Sequence, residues 1–310
     1  MICACIKNPM TKAIGSRRGP WALVGLVAAL WLATSVVAMA ATEERLAKSF
    51  AVAPGGALVV DVDFGSIEVT GTTGGEMTAS VWRRVERSDK ADEEAFLKDR
   101  PVTFEQTADG VTIRSRRQSK GNWSMGWHRR TDAKYVIRVP ERFNLQLNAD
   151  GGAVTVTGCE GTIKISSSGG RIVVTGCGGD LKANTSGGSV SVKRFRGPAR
   201  VRTSGGGITM ENIGGAIEGS TSGGAINATL LSPVPGDVKL DTSGGGVTVR
   251  VAASAAFNLD AATSGGGASC DLPIAAEGKK GGSRRKGAVN GGGPAVRLRS
   301  SGGGIHVKAL

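Results

Sequence analysis

From Val154 onward the chain alternates apolar and polar residues in short bursts, and the bursts recur. Val154, Ile172, Val190, Ile208, Ile226, Val247, Ala268 and Ile305 open them. Two residues later stand Val156, Val174, Val192, Met210, Ala228, Val249, Cys270 and Val307, with mostly polar residues such as Thr155, Ser191, Thr209, Thr248 and His306 in between. A period of two is that of a strand with one buried face. Ile163 with Ile165, Leu181 with Ala183, and Ala199 with Val201 predict a second strand in each repeat.

Glycine marks the beat. A small residue followed by two glycines begins at Asp150, Ser168, Ser186, Ser204, Ser222, Ser243, Ser264 and Ser301, with gaps of 18, 18, 18, 18, 21, 21 and 37 residues. Self-similarity at a short fixed period signals a repeat architecture. Units of this length and glycine content are too short for helix pairs, so the predicted fold class is all-β, a parallel β-solenoid (β-helix-like) with 18–21-residue coils. Corners that recur once per coil need either positive φ or close backbone approach, and glycine supplies both. The neighbouring Ser and Thr are placed to hydrogen-bond the turn and the next coil. Eight coils stacked about 4.8 Å apart would make a rod about 40 Å long. Its stability would come from contacts between neighbouring coils.

The regions outside the repeats read differently. Lys7, Lys12, Arg17 and Arg18 precede an uncharged run from Gly19 that ends in Ala38-Met39-Ala40. Residues 1–40 therefore read as a secretory signal peptide, with a retained membrane anchor as the alternative and Met10 as an alternative start. Residues 41–149 read as a mostly β capping region with one short helix at about 90–99, which Pro101 stops. A hairpin turns at Asp109-Gly110. Residues 150–310 read as the solenoid, with a basic, glycine-rich loop at about 275–293 ejected between the penultimate and last coils. The last coil is expected to end abruptly at Leu310.

Charge narrows the partners. The chain carries 39 basic and 26 acidic residues, a net charge of +13. Export would leave 35 basic residues against the same 26 acids, a net +9. A cationic exported rod meets anionic lipid head groups, cell-wall polymers, extracellular polysaccharide or nucleic acid. Nucleic acid is the least expected of these outside the cell. The same charge also keeps a repetitive β protein soluble. Cys159 and Cys177 fall at the same inward position of adjacent coils, followed there by Phe195, Ile213 and Leu231. Rung spacing permits a disulfide between them, and two free buried thiols fit equally. Nothing in the pattern calls for a metal or a cofactor.

Two surfaces are candidates for binding. The first is a stripe of Lys164, Lys182 and Arg200 on successive coils, with Lys239 two coils later and Arg202 beside it; Glu218 interrupts it. The second is the acid-free segment holding Arg114, Arg116, Arg117, Lys120, Trp123, Trp127, Arg129 and Arg130. Tryptophan beside arginine can stack on rings or anchor at an interface, or tuck under the cap as core. An enzyme reading finds little: the carboxylates of the repeat region fall at unrelated repeat positions, whereas hydrolytic sites need clustered acids.

Phe64-Gly-Ser-Ile-Glu-Val-Thr-Gly71, a helix-bearing insertion, Tyr135-Val-Ile-Arg-Val-Pro140 and tandem Thr-Ser-Gly-Gly repeats occur in that order. In this the chain resembles the exported bacterial "putative adhesin" family, a domain of unknown function built on glycine-rich β-solenoid repeats. The resemblance implies a non-catalytic role in binding or organising envelope or surface polymers, in the periplasm or at the cell surface, and supplies no catalytic residues. A scaffold that contacts another envelope protein is the rival expectation.

Overall fold

Threonine builds the corner that the glycines allow. Thr203 Oγ1 donates to the Gly188 carbonyl of the preceding coil at 2.8 Å and accepts the Gly206 N–H at 3.3 Å. Thr221 does the same with Gly206 and Gly224, and Thr242 with Gly224 and Gly245. The hydroxyl is buried in each case, so one side chain satisfies a donor and an acceptor that would otherwise be costly to bury. The second glycine is required by proximity and not by φ. A Cβ on Gly188 would lie 2.0 Å from the Gly170 carbonyl oxygen.

The computed structural model describes residues 41–118, 130–277 and 282–310. The expected leader and four of the candidate residues, Lys120, Trp123, Trp127 and Arg129, lie outside them. Among the described residues no helix is long and apolar enough to cross a membrane.

The strands form two sheets of 12 and 13 strands. Each coil contributes one strand to each, and we call such a pair a rung. In spatial order, rung 1 is Gly110–Ser115 with Arg130–Pro140, and rung 2 is Ala57–Val62 with Ser66–Thr72. Rung 3 is Asn144–Ala149 with Val154–Thr157, rung 4 Glu160–Ser167 with Ile172–Thr175, and rung 5 Gly178–Thr185 with Val190–Phe195. Rung 6 is Ala199–Thr203 with Ile208–Ile213, rung 7 Ile217–Thr221 with Ile226–Thr229, and rung 8 Val238–Thr242 with Val247–Val251. Rung 9 is Ala295–Ser300 with Ile305–Ala309, and rung 10 is Phe257–Thr263 with Ala268–Cys270. Neighbouring rungs pair in parallel throughout. The fold is therefore the all-β parallel solenoid that the repeats predict.

Spatial order and chain order part company at both ends. Rung 1 lies outside rung 2 although it comes later in the chain, and rung 10 lies outside rung 9 although it comes earlier. The hydroxyl ladder follows the spatial order: Ser300 donates to Gly245 at 2.8 Å and Thr263 to Gly303 at 2.6 Å. The C-terminal coil is thus inserted between two others. This corrects the expectation that it forms an abrupt open end.

Antiparallel strands extend both ends of the 13-stranded sheet and one end of the 12-stranded sheet. Glu76–Glu86 pairs with Arg130–Pro140, and Thr42–Ala51 pairs outside it. Thr103–Thr107 covers Gly110–Ser115. At the far end Arg284–Val289 pairs with Phe257–Thr263, and Ile274–Glu277 covers Arg284–Val289. The basic stretch expected as a loop at 275–293 is therefore largely a capping hairpin. These strands cover the outermost coils, while Ala268–Cys270 remains the far edge strand of the 12-stranded sheet. The helix spans Lys90–Asp99, with Asp89 accepting the Asp92 N–H at 2.8 Å as its N-cap. Its Glu93 is buried and accepts Thr42 N–H, Thr42 Oγ1–H and Arg87 N–H, which ties the start of the first strand to the helix.

The core is the row of alternating side chains read from the sequence. Val154, Ile172, Val190, Ile208, Ile226, Val247 and Ile305 are all fully buried. One position departs from that reading. Rungs 3 to 6 place a left-handed residue before the inward position: Gly158, Gly176, Arg194 (φ 51°) and Asn212 (φ 58°). Rung 7 lacks this step, so Leu230 points in and Leu231 stays 37% exposed.

Candidate functional site

The outer face of the 13-stranded sheet collects most of the residues singled out in the sequence. Strict parallel register stacks Gln146, Lys164, Lys182, Arg200, Glu218, Lys239 and Arg297 in one row. The adjacent row holds Asn148, Ser166, Asn184, Arg202, Ser220, Asp241 and Arg299. Arg297 and Arg299 escape the sequence reading because their rung is inserted out of order.

Charge along the row is unevenly compensated. Glu218 accepts from Arg200 Nε at 2.5 Å and from Arg202 at 2.8 Å. The Arg200 hydrogen bond holds the Glu218 carboxyl below the usual range, and burial only partly opposes it. Lys239 lies 3.8 Å from Asp241, and Arg299 lies 2.6 Å from Asp260. Lys164 and Lys182 have no ion-pair partner among the described residues. A shallow groove of about 320 Å³ runs along them, lined by Gln146, Asn148, Ser166 and Asn184 as well.

Two residues of the second candidate surface, Arg116 and Arg117, are engaged by acids from elsewhere in the chain. Arg116 is held by Asp61 at 2.6 Å, by Asp63 at 3.0 Å and by Asp150. Burial disfavours its charge, but hydrogen bonds to Asp61, Asp150 and Asp63 outweigh that and raise its pKa. Arg117 gives its backbone N–H to Asp63 at 2.7 Å and pairs with Asp99 at 3.4 Å. Arg100 adds a further tie to Asp63 and Asp99. The segment lacks acids of its own, and they arrive from three other parts of the chain. No local signal in the segment marks this meeting, since Asp61, Asp63, Asp99 and Asp150 all lie elsewhere in the chain. Arg114 is exposed on its strand opposite Asp61, and Arg130 opens its strand opposite Glu86.

Cys159 and Cys177 are stacked, buried and free, as is Cys270. The Cys159 N–H points at Cys177 Sγ over 3.4 Å. The thiol contact between them lowers the Cys177 pKa and raises that of Cys159. A larger groove of about 490 Å³ lies at a corner between Arg142, Asn144, Glu160 and Arg196. There Arg196 lies across Gly178 to pair with Glu160, and a Cβ on Gly178 would meet the Arg196 side chain at 3.5 Å. Among the described residues no group of three or more His, Cys, Asp or Glu is placed to hold a metal ion. His306 faces outward, with Nδ1 2.9 Å from Ser269 Oγ.

The described chain is a parallel β-solenoid with a stacked, largely basic row on the outer face of one sheet. The chain belongs to the Toastrack DUF4097 family, whose model matches residues 57–308, in keeping with the resemblance read from its repeats. No curated protein matches it. Among solved structures it is similar to a putative adhesin from Bacteroides fragilis NCTC 9343 at 13% identity, covering 86% of this chain and 97% of that one with a TM-score of 0.46. It is also similar to a putative cell adhesion protein from Clostridium sporogenes ATCC 15579 at 15% identity, covering 86% of this chain and 100% of that one, TM-score 0.31. A putative adhesin from Parabacteroides merdae ATCC 43184 matches at 11% identity, covering 86% and 96%, TM-score 0.34. Likenesses this distant carry no argument about function.

Proposed function

We propose that this protein is an exported, non-catalytic, adhesin-like module that binds or organises anionic polymers of the cell envelope or surface. The observation that carries the reading is the basic row on the 13-stranded sheet. Side chains there repeat once per rung on a rigid face, the geometry that suits an extended polymer with repeating charge. The net charge of +9 that export would leave, 35 basic against 26 acidic residues, supports the sign of the partner. The basic, apolar opening forty residues support the export step.

The test is retention of the purified protein on insoluble cell-envelope material at low and high salt, beside a neutral polysaccharide matrix. Retention on the envelope material that falls steeply with salt is expected. Absence of retention at low salt, or retention indifferent to salt, would overturn the reading.

A further inference from the structure

We propose that the shelf formed by Lys164 and Lys182 with Gln146, Asn148, Ser166 and Asn184 is the polymer-binding site, and that its ligand is an acidic polysaccharide. The proposal rests on the reading above and names its surface and its ligand chemistry.

Lys164 and Lys182 are directly opposite each other on neighbouring strands. Like charges in that position are destabilising. Like charges also face each other at Lys239 with Arg297 and at Arg250 with Lys308. Other bases stand beside an acid: Lys193 meets Glu211 at 3.0 Å, Lys134 meets Glu68 at 2.8 Å, and Arg200 meets Glu218. The lysine pair differs from the other like-charge pairs in that both members lie along one groove. Asp180 lies on the same strand face, two residues before Lys182, and makes no ion pair with either lysine; its charge acts on Arg200. The two ammonium groups are thus left exposed, one rung apart, with no ion-pair partner among the described residues.

The flanking side chains fit a hydroxylated ligand. Gln146, Asn148 and Asn184 each present a carboxamide, and Ser166 a hydroxyl. None of the four makes a side-chain hydrogen bond among the described residues, so donors and acceptors stand open along one side of the lysine pair, at Asn148, Ser166 and Asn184, and at its rung 3 end, at Gln146. Strands lie about 4.8 Å apart, which lets one carboxylate bridge the two ammonium groups. The shelf has no aromatic side chain, so a nucleobase would find nothing to stack on. It also has no exposed apolar side chain to enter a lipid interface. A polymer of uronic acids supplies both the carboxylates and the hydroxyls.

The experiment compares binding of the full protein to alginate, neutral dextran and single-stranded DNA across a salt series. The test variant is Lys164→Gln/Lys182→Gln. The control, Arg250→Gln/Lys308→Gln, removes two exposed charges that are paired in register on the other sheet. Thermal unfolding confirms that both variants fold. The expected result is alginate binding weakened about tenfold in the test variant, with the salt slope reduced by about one per lysine. The control should change less than twofold, and dextran should not bind. An unchanged affinity in the test variant, an equal loss in the control, or tighter binding to DNA than to alginate would overturn the shelf. If the unaltered protein binds no polyanion at all, the broader functional reading falls as well; if it binds and the test variant binds equally, only the shelf falls.

Discussion

At the scale of single residues, the repeat is held by a hydroxyl that the glycines make room for. Thr203 joins rung 5 to rung 6 by donating to Gly188 and receiving from Gly206. Replacing it with valine keeps the shape and strands both backbone groups without a partner. The expected cost is about 1–3 kcal/mol, read as a lower midpoint in urea, whereas Thr203→Ser should stay close to the unaltered protein. Equal midpoints for Val and Ser would show that packing, and not the hydrogen bond, fixes the corner. Much at this scale was legible in advance. Alternation identified the inward side chains, because a buried face leaves a period of two whatever the strand's partners are. Two details were not. Leu230 replaces Leu231 as the inward residue because rung 7 lacks the left-handed step that Arg194 and Asn212 take. Arg116 is engaged by Asp61, Asp63 and Asp150, residues between 34 and 55 positions away, and no local pattern announces such a meeting.

At the scale of elements, the ends of the solenoid depart from simple winding. The repeats around Ser264 and Ser301 carry the same pattern, so nothing in either says which stacks on rung 8. The 37-residue gap between them holds a strand, Arg284–Val289, masked by its Arg, Lys and Gly content. The observed order makes His306 the neighbour of Thr248, with Ser269 one rung further out. Introduced cysteines distinguish the two orders, since a disulfide needs Cα atoms within about 4.4–6.8 Å and two rungs span about 9.6 Å. Thr248→Cys with His306→Cys should oxidise to a cross-link seen by mass spectrometry, and Thr248→Cys with Ser269→Cys should not. The reverse outcome would restore sequential winding. The helix gives a second element-scale prediction. The Thr42 hydrogen bond, more than the backbone N–H of Arg87, lowers the Glu93 pKa against the effect of burial. A depressed folded pKa adds stability above the unfolded value of about 4.3, and that stability is lost as pH falls through the folded value. Glu93→Gln should therefore unfold at lower urea than the unaltered protein at pH 7, and the gap should narrow below pH about 4. A gap independent of pH would mean that the carboxylate charge does not matter there.

At the scale of the whole molecule, the fold is a means of repeating an outward side chain at a fixed interval. The inner rows are monotonous, and the outer rows are where the chain varies: amides and lysines on rungs 3 to 5, and ion pairs at Arg200, Arg202, Lys239 and Arg299 on later rungs. The row itself was visible in the sequence as Lys164, Lys182, Arg200 and Lys239. Which of its members remain available was not, since that depends on Glu218 reaching both Arg200 and Arg202 across the sheet. The measurement that tests the account most directly is the affinity of the protein for a soluble polyuronate over a range of salt concentrations. A binding constant that falls linearly on a log–log plot, beside no binding to a neutral polymer, is the predicted result. Undetectable binding at low salt, or equal affinity for the neutral polymer, would contradict it.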